Sequence, residues 1–182
     1  MDPNIAPVWH VQKCVFPLCV MLVLLLGCAT RPRSSSIRGV ELTRAVTIPA
    51  QRAHTKFQSG RQVSGANLSE PYCELEIRTV AEQSQRVAAG SFRVSRESQT
   101  LLKDPTTRIP ALIAGFSCSD DVYQESIWWL DGDALSPVLY LRCLAPYFNC
   151  RIGGPLSPAQ VQQVVGSRIE IKSSPAVSRI SN

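Results

Sequence analysis

Cys73-Glu74-Leu75-Glu76-Ile77-Arg78-Thr79-Val80 is the stretch that decides the fold class. Cys73, Leu75, Ile77 and Thr79 fall on one side of an extended chain, and Glu74, Glu76 and Arg78 on the other. That period of two half-buries a strand and fits no helix. Working outward, short apolar segments of the same kind recur at residues 41–48, 53–57, 61–64, 91–96, 111–118, 122–130 and 138–143, and a last one at 168–171. Ser59 with Gly60, Ala89 with Gly90, and Gly153 with Gly154 supply the turn chemistry between them. The pattern predicts a mainly β domain, an antiparallel sandwich or partly closed barrel. One helix is predicted at about 158–166. Ser157 caps it, Pro158 suits its first position, Gln160 completes a capping box, and Leu156 staples onto Val161. Val161, Val164 and Val165 form its apolar stripe, and Gly166 is placed to end it.

Two neighbouring segments are apolar on both sides. In one, Ile127 and Trp129 point one way and Trp128 and Leu130 the other; in the next, Leu139, Leu141 and Cys143 oppose Val138 and Tyr140. A strand of this kind is either central and covered on each face, or it leaves an exposed patch that marks an interaction site. Trp128, Trp129 and Tyr140 are therefore the candidate partner surface, with cover by the C-terminal helix as the competing reading. Asp120, Asp121, Glu125, Asp131 and Asp133 accompany this hairpin, with no Lys or Arg between Arg108 and Arg142. Too few oxygens follow one another for a calcium loop, so solvated loop ends are expected here.

The amino-terminal end carries a different signal. An apolar run of 13 residues from Cys14 to Leu26, interrupted by Pro17, is followed by Gly27, Cys28 and a polar segment. Spanning a bilayer takes roughly 20 apolar residues, so the run fits an export signal better than a membrane span. Leu25, Leu26, Gly27 and Cys28 resemble the lipobox of bacterial lipoproteins. The resemblance implies cleavage before Cys28 and lipid on its thiol, with several acyl chains making attachment effectively permanent. Ala29, where the retention signal of many such lipoproteins places Asp, implies the outer membrane, with the domain on its periplasmic side. The expected organisation is a signal peptide at 1–27, a flexible tether at 28–38, one β-rich domain at 39–172 and a disordered tail at 173–182.

Charge follows this division. Residues 29–61 hold seven basic side chains against Glu41 alone, whereas from Gln62 onward 11 basic residues face 12 acidic ones. The basic end sits beside the expected anchor, where anionic headgroups attract it, or is simply a solvated linker. No basic stripe continues through the domain, which argues against a nucleic-acid partner.

Of seven cysteines, Cys73, Cys118, Cys143 and Cys150 remain after Cys14, Cys19 and Cys28 are set aside. Four thiols in an oxidising compartment imply two disulfides and allow three connectivities. Long loops restrict the unfolded chain most, and Cys73 with Cys143 plus Cys118 with Cys150 is the preferred pairing. No paired C-x-x-C spacing is present and His54 is the one histidine beyond the signal, so no metal site is expected.

For catalysis the residues say little. There is no G-x-S-x-G elbow, phosphate loop or dinucleotide fingerprint. His54, or a carboxylate pair such as Glu74 with Glu76 or Asp120 with Asp121, would have to carry any hydrolysis. Over roughly residues 46–166, Ile48, Pro49, Phe57, Gly60, Cys73, Leu75, Gly90, Phe92, Tyr123, Trp129, Pro137, Leu141 and Cys143 resemble a group of uncharacterised lipoproteins of proteobacteria. That resemblance implies envelope residence and transfers no activity. The expected function is non-enzymatic binding or assembly support in the cell envelope, without a cofactor, for a protein partner. An inhibitor or pilot-type lipoprotein and an envelope hydrolase are the alternatives.

Overall fold

The computed structural model describes residues 37–111, 122–133, 136–147 and 155–173. The chain is mainly β, an antiparallel sheet curled into a half-barrel with one short C-terminal helix. Among the described residues eleven strands follow in chain order: β1 (Ile37–Leu42), β2 (Val46–Ile48), β3 (His54–Gln58), β4 (Arg61–Val63), β5 (Tyr72–Ile77), β6 (Gln85–Val87), β7 (Gly90–Asp104), β8 (Ile109–Pro110), β9 (Val122–Asp131), β10 (Val138–Tyr147) and β11 (Ile169–Ser173). The helix α1 (Pro158–Val165) precedes β11. The large sheet runs β11-β1-β7-β9-β10-β5-β3-β4, with β8 paired to β7, while β2 and β6 form a separate pair. Bulges in β1, β7 and β10 bend these strands and strengthen the twist that curls the sheet.

The concave core is built from one face of the sheet. Val40, Leu42, Phe57, Leu75, Leu141, Trp128 and Leu130 are buried together, and Val161 and Val165 of α1 close over them. The β2–β6 pair adds Val46, Ile48 and Val87 to the same cluster. The helix forms where its cap predicts it: the Ser157 amide donates to Gln160 Oε1 at 2.9 Å, and the Gln160 amide donates back to Ser157 Oγ. It ends at Gly166, whose φ of 68° is open to glycine at little steric cost. The β3–β4 turn at Ser59 and Gly60 docks onto this end, the Gly60 amide donating to Val164 O at 3.0 Å.

β11 is an edge strand, and α1 covers its free side. Gln162 Nε2 donates to Gly166 O and Ile169 O, while Gln162 Oε1 accepts from the Ile171 amide. One side chain thus occupies backbone groups that an added strand would otherwise take.

Several boundaries differ from those the residue pattern predicts, β10 among them, which runs past Cys143 to Tyr147. Residues 41–48 do not form one strand, because Thr43 turns away to donate its amide to Arg168 O and its hydroxyl to Ser167 O. β7 does not stop at Arg96 but runs on to Asp104, held by its pairing with β9 rather than by an apolar alternation of its own. β6 was not legible at all, having Val87 as its single buried residue. Of the segment expected at 111–118, the tail at 173–182 and the signal and tether at 1–38, residues 112–118, 174–182 and 1–36 lie outside the described residues, while Ile37 and Arg38 belong to β1 and Ser173 to β11. Among the described residues no helix is long and apolar enough to cross a membrane.

Candidate functional site

The second face of the sheet was expected to meet solvent through Glu74 and Glu76. Glu74 is instead buried, 5% exposed, and so is Arg142, 3% exposed. Their positions follow from register. Arg142 of β10 lies opposite Glu74 of β5, which lies opposite Lys56 of β3. Arg142 donates through Nη1 to Glu74 Oε2 at 2.8 Å, through Nε to Glu125 Oε1, and through Nη2 to Pro105 O at 3.0 Å. Lys56 Nζ stands 3.6 Å from Glu74 Oε1 and 5.6 Å above the Tyr72 ring. A guanidinium taken out of water needs its donors met, and this one is met by two carboxylates and a carbonyl.

The carbonyl comes from the β7–β8 turn, which folds across the face. Its shape is set locally: the Thr106 amide and Thr107 hydroxyl donate to the Asp104 carboxylate, which lowers the pKa of Asp104 below the ordinary range. Arg108, at a φ of 57°, then reaches back to donate to the Tyr140 hydroxyl at 3.0 Å and approaches Glu76 Oε2 at 3.5 Å. Burial, reinforced by Glu74, pushes the Tyr72 phenol up to about 12, and burial with a bond to Glu76 pushes Tyr140 to about 12.

Beyond this ionic group the face opens. Cross-strand register aligns His54, Glu76, Tyr140, Trp129 and Arg96 in one row over five strands. Trp129 meets Tyr140 edge to face with ring centroids 4.9 Å apart, and the Arg96 guanidinium lies 4.3 Å from the Trp129 ring centroid. Trp129 is half-buried, Arg96 is exposed, and the Trp129 indole N–H has no acceptor among the described residues.

The expected partner residues therefore separate. Trp128 is 2% exposed and belongs to the core beneath α1, so it offers no surface. Tyr140 is 4% exposed and supports the row from below. Trp129 is the member left at the surface. Of the acidic cluster, Glu125 is no solvated loop end, because its place on β9 directs it to Arg142. Asp131 pairs loosely with exposed Arg93 at 3.8 Å, and Asp120 and Asp121 lie outside the described residues. Cys73 and Cys143 face each other across β5 and β10, joined as a disulfide in the core. Cys28, Cys118 and Cys150 lie outside the described residues. Among the described residues no cluster of three metal-ligating side chains occurs.

The buried Glu74–Arg142–Glu125 group escaped the reading of the residues, although one signal for it existed: Arg142 interrupts the otherwise apolar Val138-Leu139-Tyr140-Leu141-Arg142-Cys143-Leu144. Neither a family model, nor a curated protein, nor a solved structure matches this chain.

Proposed function

We propose that this chain is a lipid-anchored envelope protein, held by Cys28 to the periplasmic side of the outer membrane, which works by binding a protein partner rather than by catalysis. The observation that carries the binding reading is the row ending in Trp129 and Arg96. An exposed guanidinium over a half-buried indole that packs edge to face on Tyr140 is the composition of a protein-binding hot spot. Of the carboxylate pairs that a hydrolase would use, Glu74 is held by Arg142 and Glu76 is approached by Arg108, which supports the same reading, while Asp120 and Asp121 lie outside the described residues. The Cys73–Cys143 pair supports residence in an oxidising compartment, where such bridges persist.

The test has two arms. Mass spectrometry of the native product, with and without reductant, is expected to show an acylated terminus at Cys28 and no free Cys73 or Cys143 thiol; a product beginning at Met1 refutes the anchor. Crosslinking in cells is expected to capture one envelope protein, and Trp129→Ala is expected to reduce that capture while leaving the unfolding midpoint close to that of the unaltered chain. Undiminished capture by the variant refutes the assignment of the surface.

A further inference from the structure

Four arginines from four separate segments converge where α1 stops. Thr43, in the turn between β1 and β2, donates its hydroxyl to Ser167 O at 2.7 Å and its amide to Arg168 O at 3.0 Å. Arg168 Nη1 reaches Ala45 O at 3.5 Å, which sets Arg44 beside Arg168. The β3–β4 turn docks at the same corner through the Gly60 amide, and Arg61 follows it directly. Gln62 Nε2 then donates to Thr47 O at 2.6 Å, and Thr47 lies opposite Arg86 across the β2–β6 pair. Arg44, Arg61, Arg86 and Arg168 are all exposed, and none has a carboxylate partner among the described residues. Glu41 and Glu170, the acidic residues of β1 and β11, are taken by Lys172.

We infer that this arginine end docks on a bilayer bearing anionic phosphate headgroups, an inference that rests on the anchored reading proposed above. Three observations select that occupant. The charge is carried by guanidinium groups alone, whose planar fork matches phosphate oxygens. The core of a protein interface is poor in charge and rich in apolar and aromatic side chains, whereas the large apolar residues exposed among those described, Leu68, Val80 and Ile109, are on none of the four segments. The chain also has the reach. Cys28 and Ile37 are nine peptide steps apart, at most about 31 Å, while β1 from Ile37 to Leu42 is about 17 Å long, so an anchor at Cys28 leaves the far end of β1 within range of the same membrane. Arg86 and Arg168 belong to no basic run, and the fold alone adds them to Arg44 and Arg61.

Arginine footprinting of the full acylated chain tests the docking. The protein is reconstituted into vesicles of phosphatidylcholine, or of phosphatidylcholine with phosphatidylglycerol, treated with phenylglyoxal, digested and read by mass spectrometry. With phosphatidylglycerol present, Arg44, Arg61, Arg86 and Arg168 are expected to react about fivefold more slowly, and Arg93 and Arg96, exposed on β7, at an unchanged rate. About 0.5 M salt is expected to remove the difference. Arg44→Gln with Arg168→Gln in one chain is expected to restore the reactivity of Arg61 and Arg86, and circular dichroism checks that these two exposed changes leave the fold intact. Equal rates in the two vesicles overturn the inference, as does uniform protection that includes Arg93 and Arg96, or protection by a bound protein or nucleic acid without phosphatidylglycerol. The acyl mass on Cys28 is read in the same digest: its absence refutes the anchor, and its presence without protection of the four arginines refutes the docking alone.

Discussion

Replacing Arg142 by methionine tests whether the second face is a buried ionic network. Arg142 is 3% exposed and supplies every strong partner of two carboxylates that are themselves 5% and 7% exposed. Methionine keeps most of the stem and removes the charge, leaving Glu125 unpaired and Glu74 with Lys56 alone, at 3.6 Å. The Pro105 carbonyl loses its donor too, which loosens the β7–β8 turn. Removing one partner of a buried pair costs about 3–5 kcal/mol, because the orphaned charge cannot recover its water; with Lys56 offsetting part of this, about 4 kcal/mol is expected. Urea unfolding of the disulfide-intact protein, followed by far-ultraviolet circular dichroism, reads this as a lower midpoint at unchanged slope. The companion variant carries Glu74→Leu, Glu125→Met and Arg142→Met together. Exchanging the whole group for apolar residues is expected to return stability to within about 1 kcal/mol of the starting chain. A loss below about 1 kcal/mol in the single variant, or a triple variant no better than the single one, refutes the argument, since either result means that water still reaches these carboxylates.

The two raised phenols set an alkaline limit. Unfolded tyrosine ionises near 10, while Tyr72 and Tyr140 hold their protons to about 12, so the unfolded chain loses protons first and stability falls between pH 10 and 12. The expected loss is on the order of 2 kcal/mol per phenol by pH 12, and phenolate absorbance is expected to rise in a cooperative step at the unfolding pH; more than two of the four tyrosines ionising smoothly near 10 in the folded protein contradicts it. Gly166→Ala puts a Cβ 2.2 Å from the Gly60 carbonyl oxygen at a φ of 68°, and about 3 kcal/mol is expected to be lost, whereas Gly65→Ala meets nothing within 4 Å and is expected to be near neutral in the same thermal melt. Gln162→Ala uncovers the β11 edge and removes three hydrogen bonds, with about 2 kcal/mol lost and concentration-dependent light scattering gained; unchanged scattering refutes the edge-covering role.

The parts of this fold legible in the residues are those where one local rule acts alone. The alternation at Cys73 to Ile77 yields β5, and the Ser157–Gln160 box yields α1, because strand period and helix cap are properties of adjacent residues. What failed were inferences that need a second strand. The middle of β7, residues 95–100, is polar on both sides and is a strand because β9 holds it there, and Glu125 and Glu74 read as solvated charges until β10 places Arg142 between them. The candidate site shows the same division. Trp128 and Trp129 are equivalent by composition, and only the side on which α1 packs decides that the first is core and the second is surface.

That division also bears on why the sheet needs both a disulfide and an ionic group. Cys73 and Cys143 lie opposite each other on the core face of β5 and β10, and the next residues on the same strands, Glu74 and Arg142, lie opposite each other on the second face. The same two strands are thus joined above and below within a single residue step. A bridge closing a separation of 70 residues restricts the unfolded chain by about 4 kcal/mol in the loop-entropy picture, and because it joins directly opposed residues it also pins their register. The Glu74–Arg142–Glu125 group opposes the same slip from the other face, since a shift of one residue would turn a buried guanidinium toward the apolar core. In this arrangement the disulfide and the ionic group fix one register from the two faces, and register is what aligns His54, Glu76, Tyr140, Trp129 and Arg96 into one row.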